Sequence, residues 1–323
     1  MQATKYIWFN GKLVPWASAK IHVLSHSLHY GTGAFEGIRM YETEKGSSTD
    51  ADHQPVGPAI FHLKRHMERL IFSAKSLGMK LPYTLDELMQ AVVETVRKNK
   101  LKSCYIRPIA FFGFGEVRVL PTNCPVEVVI AAWPWGAYLG DEPARITVVK
   151  TLRIHPQTLR VNAKVSGHYV NSMLAGREAT DRGFTEALQL DYEGNIAEGP
   201  GENFFIVKGK TISTPKLGSI LPGITRESVM TLARDLGYKV VERTLTIKDA
   251  LSADECFFTG TAAEVTAIAS IDNKKMKKAN GSSTDADAYS IGPVTKQIRE
   301  EFLKITRGEN PRYKKWLTFV NGY

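Results

Sequence analysis

Apolar residues recur every three or four positions in several stretches of the chain, a spacing that places them on one face of a helix. The first stripe predicts a helix over about residues 62–77 that ends at Gly78. A second helix is expected to begin after the capping-box sequence Thr84-x-x-Glu87, which satisfies two backbone N–H groups at a helix start. Further helices are predicted over about residues 167–183, 224–236 and 293–306.

Short apolar runs bounded by turn residues predict the strands. Asn10-Gly11 suits the positive φ angles of a tight type I′ turn, so residues 6–9 and 12–14 are expected to form a hairpin. Residues 104–112 and 126–133 are expected to be buried strands. Further strands are predicted at residues 146–151, 186–190 and 203–207. The segment Ser25-His-Ser-Leu-His-Tyr-Gly31 is expected to be a loop that enters a strand.

The length of the chain, 323 residues, is typical of about two domains. The segment Pro134-Trp-Gly-Ala-Tyr-Leu-Gly140 is rich in aromatic residues and glycine, as expected of a connection between them. We therefore predict an N-terminal domain over residues 1–132, a linker over 133–140 and a C-terminal domain over 141–323.

Charge and composition favour a protein that acts on small anions. The formal net charge is +9, but the basic clusters at 97–100 and 274–278 are short and lack interleaved aromatic residues, so we expect no nucleic-acid binding. No apolar run approaches the roughly 20 residues of a membrane span, and the first residues carry no export signal. Three cysteines without a CxxC pair argue against a disulfide framework or a zinc site, which predicts a reducing cytoplasm.

Three histidines, His22, His26 and His29, have spacings that could converge on a metal if the segment were helical. No carboxylate flanks them in the sequence, so we predict no metal site. The heptapeptide Gly-Ser-Ser-Thr-Asp-Ala-Asp occurs twice, at 46–52 and at 281–287. We interpret both copies as insertions at the surface.

One lysine, Lys164, lies among the small and apolar residues Ala163, Val165 and Gly167. An amine that is poorly solvated loses its proton more readily and becomes a nucleophile. Glu198 follows in a glycine-rich segment, and a lysine with a carboxylate is what a pyridoxal phosphate site requires. There the lysine forms an imine, and the carboxylate keeps the pyridine nitrogen protonated. Taken alone, a lysine is much more often a solvated surface residue.

Several motifs in order give the lysine its context. Residues 198–203 (Glu-Gly-Pro-Gly-Glu-Asn), 221–226 (Leu-Pro-Gly-Ile-Thr-Arg) and 260–264 (Gly-Thr-Ala-Ala-Glu) resemble the class IV aminotransferases. Residues 35–39 (Phe-Glu-Gly-Ile-Arg) and 105–108 (Tyr-Ile-Arg-Pro) resemble the branched-chain amino acid aminotransferases within that family. The resemblance covers roughly residues 6–307. It implies an α+β fold of fold type IV, with a smaller N-terminal domain, a larger C-terminal domain and pyridoxal 5′-phosphate between them.

The resemblance also implies roles for individual residues. Lys164 would be the catalytic residue, and the cofactor would contact Lys164, Arg69, Tyr169, Glu198, Ile224, Thr225 and Thr261. The substrate would contact Tyr30, Phe35, Gly37, Arg39, Tyr105, Arg107, Trp135, Tyr138, Thr261 and Ala262. Unaided by the family, Thr225 is equally well interpreted as a plain N-cap, Arg69 as a surface residue and Phe35 as a core residue. Tyr105 and Arg107 alternate with Ile106 and therefore point to one side of their strand.

The implied activity is transfer of the amino group of L-leucine, L-isoleucine or L-valine to 2-oxoglutarate. The alternatives on the same fold are a D-amino acid or (R)-amine transaminase and, more remotely, an aminodeoxychorismate lyase. A basic binding protein without catalysis is the alternative from another functional class. Members of the family form homodimers and in some cases homohexamers, so a homo-oligomer of at least two subunits is expected.

Overall fold

The structure, a computed structural model, describes residues 2–43, 57–135, 142–277 and 291–320. Their strands are β1 (Tyr6–Phe9), β2 (Lys12–Pro15), β3 (Gly33–Phe35), β4 (Ile38–Tyr41), β5 (Ala59–Phe61), β6 (Cys104–Phe112), β7 (Val126–Trp133), β8 (Ala144–Val148), β9 (Glu186–Leu188), β10 (Asn203–Lys208), β11 (Thr211–Pro215), β12 (Lys239–Arg243), β13 (Glu255–Gly260), β14 (Glu264–Ile271), β15 (Lys274–Lys275) and β16 (Leu317–Phe319). Their helices are α1 (His26–Tyr30), α2 (Leu63–Ser76), α3 (Leu85–Lys98), α4 (Tyr169–Asp181), α5 (Ile224–Asp235), α6 (Ile247–Ser252) and α7 (Pro293–Thr306).

The chain forms two compact units. Unit 1 comprises Met1–Gly136, Ala163–Gly167 and Lys304–Tyr323, and unit 2 comprises Ala137–Asn162 and His168–Leu303. This division differs from the predicted one, in which every residue after 140 belongs to one domain. Residues 163–167 belong to unit 1 because Val165 bridges to Ala34 of β3. The C-terminal residues belong there because β16 pairs with β5.

Unit 1 is built on one antiparallel sheet in the order β16-β5-β4-β6-β7-β1-β2, with β3 paired to β6. The hairpin of β1 and β2 turns at Asn10 and Gly11, which have φ angles of 47° and 90°. Helices α2 and α3 pack on the sheet, and their apolar faces meet Ile38, Ile106 and Ile130 in one core. Because side chains alternate along a strand, the residues between these core positions lie on the other face of the sheet.

Unit 2 contains a mixed sheet in the order β12-β11-β10-β13-β14-β8-β9, with β15 paired to β14. β11 and β12 are parallel, as are β14, β8 and β9, and the central strands β10, β13 and β14 are antiparallel. Phe204, Ile206 and Phe258 belong to its main core. α4 packs on β8 and β9, and its Ala175 and Ala179 form a smaller core with Val149. α5 contacts β12 and β13.

The structure confirms most of the predicted elements, including the capping box of Thr84 and Glu87 at the start of α3. The α+β fold class is confirmed as well. The predicted loop at residues 25–31 is wrong, because residues 26–30 form the short helix α1, whose C-cap is Gly31 with a φ of 66°. β8 begins and ends earlier than predicted, since its pairing with β14 starts at Ala144. Both copies of the repeated heptapeptide lie outside the described residues.

Two further findings concern only the part of the chain that the structure describes. None of its helices combines the length and the apolar character that a membrane crossing requires. It contains no group of three or more His, Cys, Asp or Glu side chains arranged to hold a metal ion. Of the three histidines considered as ligands, His26 is buried and bonds instead to the Thr32 hydroxyl and the Arg118 carbonyl, both at 2.7 Å.

Candidate active site

Lys164 lies in the short segment Ala163–Gly167, which belongs to unit 1 although the residues on both sides of it belong to unit 2. The Lys164 carbonyl accepts a hydrogen bond from the Phe35 N–H at 3.1 Å, and the Lys164 N–H donates to the Ser73 hydroxyl at 2.9 Å. Its Nζ lies 5.0 Å from the centroid of the Phe35 ring. The lysine backbone is thus held by β3 on one side and by α2 on the other.

A close approach of two glycines completes the attachment of this segment. The Gly167 N–H donates to the Gly31 carbonyl at 3.0 Å. A Cβ on Gly31 would lie 2.9 Å from the Gly167 Cα, which leaves no room for a side chain.

The predicted substrate residues of unit 1 are brought together by the register of three strands. Arg39 on β4 lies opposite Tyr105 on β6, which lies opposite Trp133 on β7. Arg107 is two positions along β6 and shares this face, whereas Ile106 points into the core. The prediction that Tyr105 and Arg107 point to one side of their strand is therefore confirmed.

Aromatic rings surround the Arg107 guanidinium. Its Cζ lies 4.9 Å from the Phe35 ring centroid and 5.2 Å from the Tyr105 ring, and its Nη2 donates to the Tyr105 hydroxyl at 3.3 Å. The rings of Trp133 and Trp135 lie 5.5 and 5.2 Å from that of Tyr105. A Cβ at Gly37 would overlap the Tyr105 hydroxyl, so a larger residue here would displace the Tyr105 ring.

Two buried donors in this group have no acceptor among the described residues, the Arg107 Nε–H and the Trp133 indole N–H. A buried donor without an acceptor is costly, because it has lost its hydrogen bond to water. An anionic ligand would supply the missing acceptor. Trp133 is absent from the predicted set, although its position opposite Tyr105 follows once the pairing of β6 and β7 is known.

Arg69, predicted to bind phosphate, forms an ion pair on α2. Its Nε and Nη2 donate to the Glu36 carboxylate at 2.5 and 3.0 Å, and His66 Nδ1 donates to the same carboxylate at 2.7 Å. The interpretation of Arg69 as a solvated surface residue is wrong, since only 13% of its side chain is exposed. Glu36 and His66 are absent from the predicted site residues. A glutamate between two apolar strands and a histidine three positions before an arginine on a predicted helix are signals that could have indicated them.

In unit 2 the Glu198 carboxylate is buried and fully engaged. Arg153 Nε donates to its Oε1 at 2.7 Å, Asn203 Nδ2 donates to its Oε2 at 3.0 Å, and the Leu221 N–H lies 3.2 Å from both oxygens. Arg153 is itself only 8% exposed. Because a buried guanidinium and a buried carboxylate face each other, the arrangement favours an ionised Glu198. No local pattern distinguishes Arg153 in the sequence.

Asn203 joins the remaining elements of this group. Its Nδ2 also donates to the Leu221 carbonyl at 3.0 Å, and a Cβ on Gly223 would overlap its Oδ1. Across the sheet it pairs with Thr259, whose hydroxyl is buried without a partner among the described residues. One asparagine therefore connects the carboxylate, the start of α5 and the end of β13.

The start of α5 and the turn after β13 offer donors for an anion. Gly223 is the N-cap of α5, so the interpretation of Thr225 as an N-cap is wrong. Ile224 and Thr225 are the first two residues of the helix, where N–H groups have no acceptor within the helix. Residues 261–263, which include Thr261 and Ala262, form the turn between β13 and β14.

The other predicted residues are placed as follows. Tyr169 is the half-buried first residue of α4 in unit 2, and Tyr30 is the last residue of α1 and 42% exposed. Arg39 is 8% exposed and lies 5.1 Å from the Tyr41 ring. Tyr138 lies outside the described residues. Lys164 and Arg107 thus belong to a group in unit 1, and Glu198, Thr225 and Thr261 belong to a group in unit 2.

Comparison with known proteins identifies the family of the chain. Residues 33–271 match the protein family Amino-transferase class IV. The branched-chain-amino-acid aminotransferase of Pseudomonas aeruginosa is 42% identical over 318 residues, which are 97% of this chain and 97% of that protein.

Solved structures are similar over almost the whole chain. The crystal structure of the T.th. branched-chain amino acid aminotransferase complexed with N-(5′-phosphopyridoxyl)-L-glutamate has a TM-score of 0.89 and 45% identity, covering 98% of this chain and 99% of that one. The same enzyme complexed with 4-methylvaleric acid has a TM-score of 0.88 and 44% identity, with the same coverage. By the extent of the match along its sequence and its fold, the chain belongs to the class IV aminotransferases.

Proposed function

We propose that the protein transfers the amino group of L-leucine, L-isoleucine or L-valine to 2-oxoglutarate. Class IV aminotransferases are pyridoxal 5′-phosphate enzymes, and the relatives described above are branched-chain aminotransferases. The observation that carries the proposal is the Arg107 guanidinium, which lies among aromatic rings and has an Nε–H without an acceptor in the described residues. Such a group suits a substrate site that must accept both apolar and acidic side chains.

The residues of both units fit the cofactor chemically. Lys164 provides a primary amine, and Glu198 provides a buried carboxylate whose ionic form is supported by Arg153. The N–H groups of Ile224 and Thr225, which have no acceptor within their helix, lie at its start, where the dipole favours an anion such as phosphate. The buried Thr259 hydroxyl lacks a partner in the described residues, as expected beside a polar ligand.

In this proposal each residue keeps the role that the family implies. Arg69, Ile224, Thr225 and Thr261 would hold the phosphate, Tyr169 the ring oxygen and Glu198 the ring nitrogen. When bound, pyridoxal phosphate supplies an electron-withdrawing ring that stabilises negative charge at the substrate Cα. The Lys164 Nζ would accept the Cα proton as a general base, and the ring of Phe35 beside it would limit access of water.

Substrate selection follows from the group in unit 1. The rings of Phe35, Tyr105, Trp133 and Trp135 would contact an aliphatic side chain, where one methylene changes binding by only about 1–3 kcal/mol. Leucine, isoleucine and valine would therefore be poorly separated. The side-chain carboxylate of glutamate or 2-oxoglutarate would cost several kcal/mol if buried unpaired, and Arg107, helped by Tyr30, would provide its counterion.

We also propose that the protein is at least a homodimer and acts in the cytoplasm. Support for a dimer comes from an apolar patch of unit 1 formed by residues 21–28 and 113–120, in which Val23 is 66%, Leu28 64%, Val119 80% and Leu120 75% exposed. A contiguous exposed apolar patch is typical of an interface. The three cysteines, all within the described residues, are free thiols, which suits a reducing compartment.

The absorption spectrum of the purified protein tests the proposed activity. L-leucine should remove the absorption band of the lysine-bound cofactor, and 2-oxoglutarate should then restore it. D-alanine, tested separately, should leave the band unchanged. Replacing Lys164 with alanine should abolish the band while the protein still binds the cofactor.

Two outcomes would contradict the proposal. A band that responds only to D-alanine would assign the protein to the D-amino acid or (R)-amine transaminases on the same fold. A protein without a band, even after pyridoxal phosphate is added, would overturn the assignment of Lys164 and the proposed chemistry.

A further inference from the structure

A fully buried carboxylate, that of Glu36, lies in the connection between β3 and β4. Its exposed fraction is 0%. The Glu36 N–H donates to the Pro108 carbonyl at 2.9 Å, which fixes its backbone against β6. Its neighbours Phe35 and Gly37 are predicted substrate residues, whereas Glu36 has no role in the proposed reaction. A wholly buried charge requires partners, because removing it from water costs several kcal/mol.

Two side chains on one turn of α2 supply most of these partners. Arg69 donates through Nε at 2.5 Å and Nη2 at 3.0 Å, His66 donates through Nδ1 at 2.7 Å, and the Gly37 N–H lies 3.2 Å away. Burial by itself would raise the pKa of Glu36, but the Arg69 and His66 contacts lower it well below its usual range. Burial lowers the pKa of His66 despite the carboxylate, so a neutral ring donates its Nδ1 proton.

The arrangement also constrains Arg69. A guanidinium is planar, and two of its nitrogens bound to one carboxylate fix the plane and the direction of its remaining N–H groups. A buried ion pair adds little net stability compared with apolar packing. Its orienting effect is therefore the stronger reason for its presence.

The same helix also holds the catalytic lysine segment. His66, Arg69 and Ser73 have spacings of three and four and lie on one face of α2. Ser73 accepts a hydrogen bond from the Lys164 N–H, and Phe35, next to Glu36, donates to the Lys164 carbonyl. One polar stripe of α2 thus ties the Arg69 guanidinium and the Lys164 backbone to the strand connection at residues 35–37.

We propose that Glu36 is a positioning residue that orients the Arg69 guanidinium for the phosphate of the cofactor. This inference rests on the proposed function, in which Arg69 binds that phosphate. Glu36 itself would make no contact with the cofactor, and His66 would support it by filling a second acceptor site on its carboxylate.

Two effects of Glu36 on phosphate binding oppose each other. Its negative charge lowers the positive potential near Arg69 and would weaken binding of an anion. Its hydrogen bonds hold the Arg69 guanidinium in one orientation, which strengthens phosphate binding because less side-chain entropy is lost when the anion binds. The effect of the charge acts on any anion nearby, whereas the orienting effect requires both hydrogen bonds from Arg69 to the carboxylate. Replacing Glu36 with glutamine removes the charge and keeps the size of the side chain, so it separates the two effects.

The test compares the affinities of the full-length protein for pyridoxal 5′-phosphate and for pyridoxal, which lacks the phosphate. The dissociation constant for pyridoxal divided by that for pyridoxal 5′-phosphate, both measured by absorbance, gives the contribution of the phosphate to binding. Glu36→Gln should reduce this ratio about tenfold or more, the size of effect typical of lost second-layer hydrogen bonds. Its affinity for pyridoxal should stay close to that of the unmodified protein.

Matched variants separate positioning from general damage. Glu68→Gln makes the same charge change on α2 at a side chain that is 51% exposed, and the ratio should not change. In an Arg69→Met background, Glu36→Gln should have no further effect on the ratio. If Glu36→Gln fails to fold, His66→Leu should lower the ratio and His66→Asn, which retains a donor, should preserve most of it.

The outcomes are distinct for this inference and for the proposed function. A ratio that is unchanged or higher in Glu36→Gln, with the unmodified protein binding pyridoxal phosphate normally, overturns the positioning role alone. An equal loss of affinity for both compounds assigns Glu36 a purely structural role and also overturns it. An unmodified protein that binds neither compound overturns the proposed function and this inference with it.

Discussion

At the scale of single residues, charged residues in unit 1 are held by partners that are distant in sequence. The Arg69 guanidinium bonds to Glu36, 33 positions away, and the backbone N–H of Lys164 bonds to Ser73, 91 positions away. Arg107 differs, because its Nε–H is buried without an acceptor in the described residues. A donor kept in this state marks the place where a ligand is expected to bind.

Replacing Arg107 with leucine should separate the two halves of the reaction. The variant keeps an apolar side chain beside Phe35 and Tyr105, so its reaction with L-leucine should change little. It loses the counterion for the second carboxylate, so kcat/KM for 2-oxoglutarate should fall about 10–100-fold, the value of a charged hydrogen bond. Single-turnover absorbance measurements with each substrate check this, and an equal loss in both halves would remove Arg107 from this role.

His62 should make the stability of the protein depend on pH. Burial, followed by the charges of Arg65 and His66, lowers the pKa of His62 to about 3. In the unfolded chain a histidine takes up its proton near pH 6.5. Because the folded pKa is the lower one, the stabilisation is complete above pH 6.5 and is lost as the pH falls from 6.5 towards 3.

His62→Asn removes the titration and suits the φ of 50° at this position. The free energy of unfolding of the unmodified protein should fall about 1–2 kcal/mol more between pH 7 and pH 5 than that of the variant. Urea unfolding at these two pH values measures both slopes. Equal slopes would show that His62 is protonated as easily in the folded protein as in the unfolded chain.

At the scale of elements, the N-terminus of α5 is held at a fixed distance from β10. Gly223, the N-cap, contacts Asn203, which bonds to Glu198 at 3.0 Å. Its φ of −71° is open to any residue, so the need for glycine comes from lack of space. Arg226, which is 2% exposed, anchors the same turn through the Pro215 carbonyl and Glu242.

Gly223→Ala should therefore displace the start of α5 from Asn203. The added methyl group should lower the free energy of unfolding by about 1–3 kcal/mol, the usual cost of overpacking, and weaken binding of pyridoxal phosphate. Gly201→Ala is the matched control, because a Cβ there meets nothing within 4 Å. Urea unfolding of both variants checks the prediction, which fails if the two are equally stable.

At the scale of the whole molecule, the exposed apolar patch of unit 1 has a defined origin. Its two segments are joined by His26, whose N–H donates to the Gly113 carbonyl at 3.1 Å and whose ring reaches Arg118, and by the contact of His22 with Phe114 at 4.2 Å. Both segments are therefore held in place and present their apolar side chains to solvent.

Val119→Glu combined with Leu120→Glu should disrupt a dimer formed through this patch. The mass in solution should fall from at least twice 35.9 kDa to about 35.9 kDa, because two charges would be buried without partners. Size-exclusion chromatography with light scattering measures this. Leu217→Glu, at a leucine of unit 2 that is 50% exposed, should leave the mass unchanged. A double variant that keeps the larger mass would place the interface elsewhere.

The sequence by itself determined the elements whose signals are local. Helices α2 and α3 follow from apolar stripes and a capping box, and strands β6 and β7 follow from apolar runs. The motifs around Lys164 and Glu198 were sufficient to indicate the family. These features depend on residues only a few positions apart, so no knowledge of chain packing is needed.

Only the tertiary structure decided which side chains meet. The attachment of residues 163–167 to β3, the contact of Glu36 with His66 and Arg69, and the pairing of Arg153 with Glu198 join positions far apart in the chain. A charged residue within an apolar segment of the sequence indicates that it needs a partner, but many other residues could supply that partner equally well. The choice among them is made by strand register and helix packing, which arise from the whole core and not from local pattern.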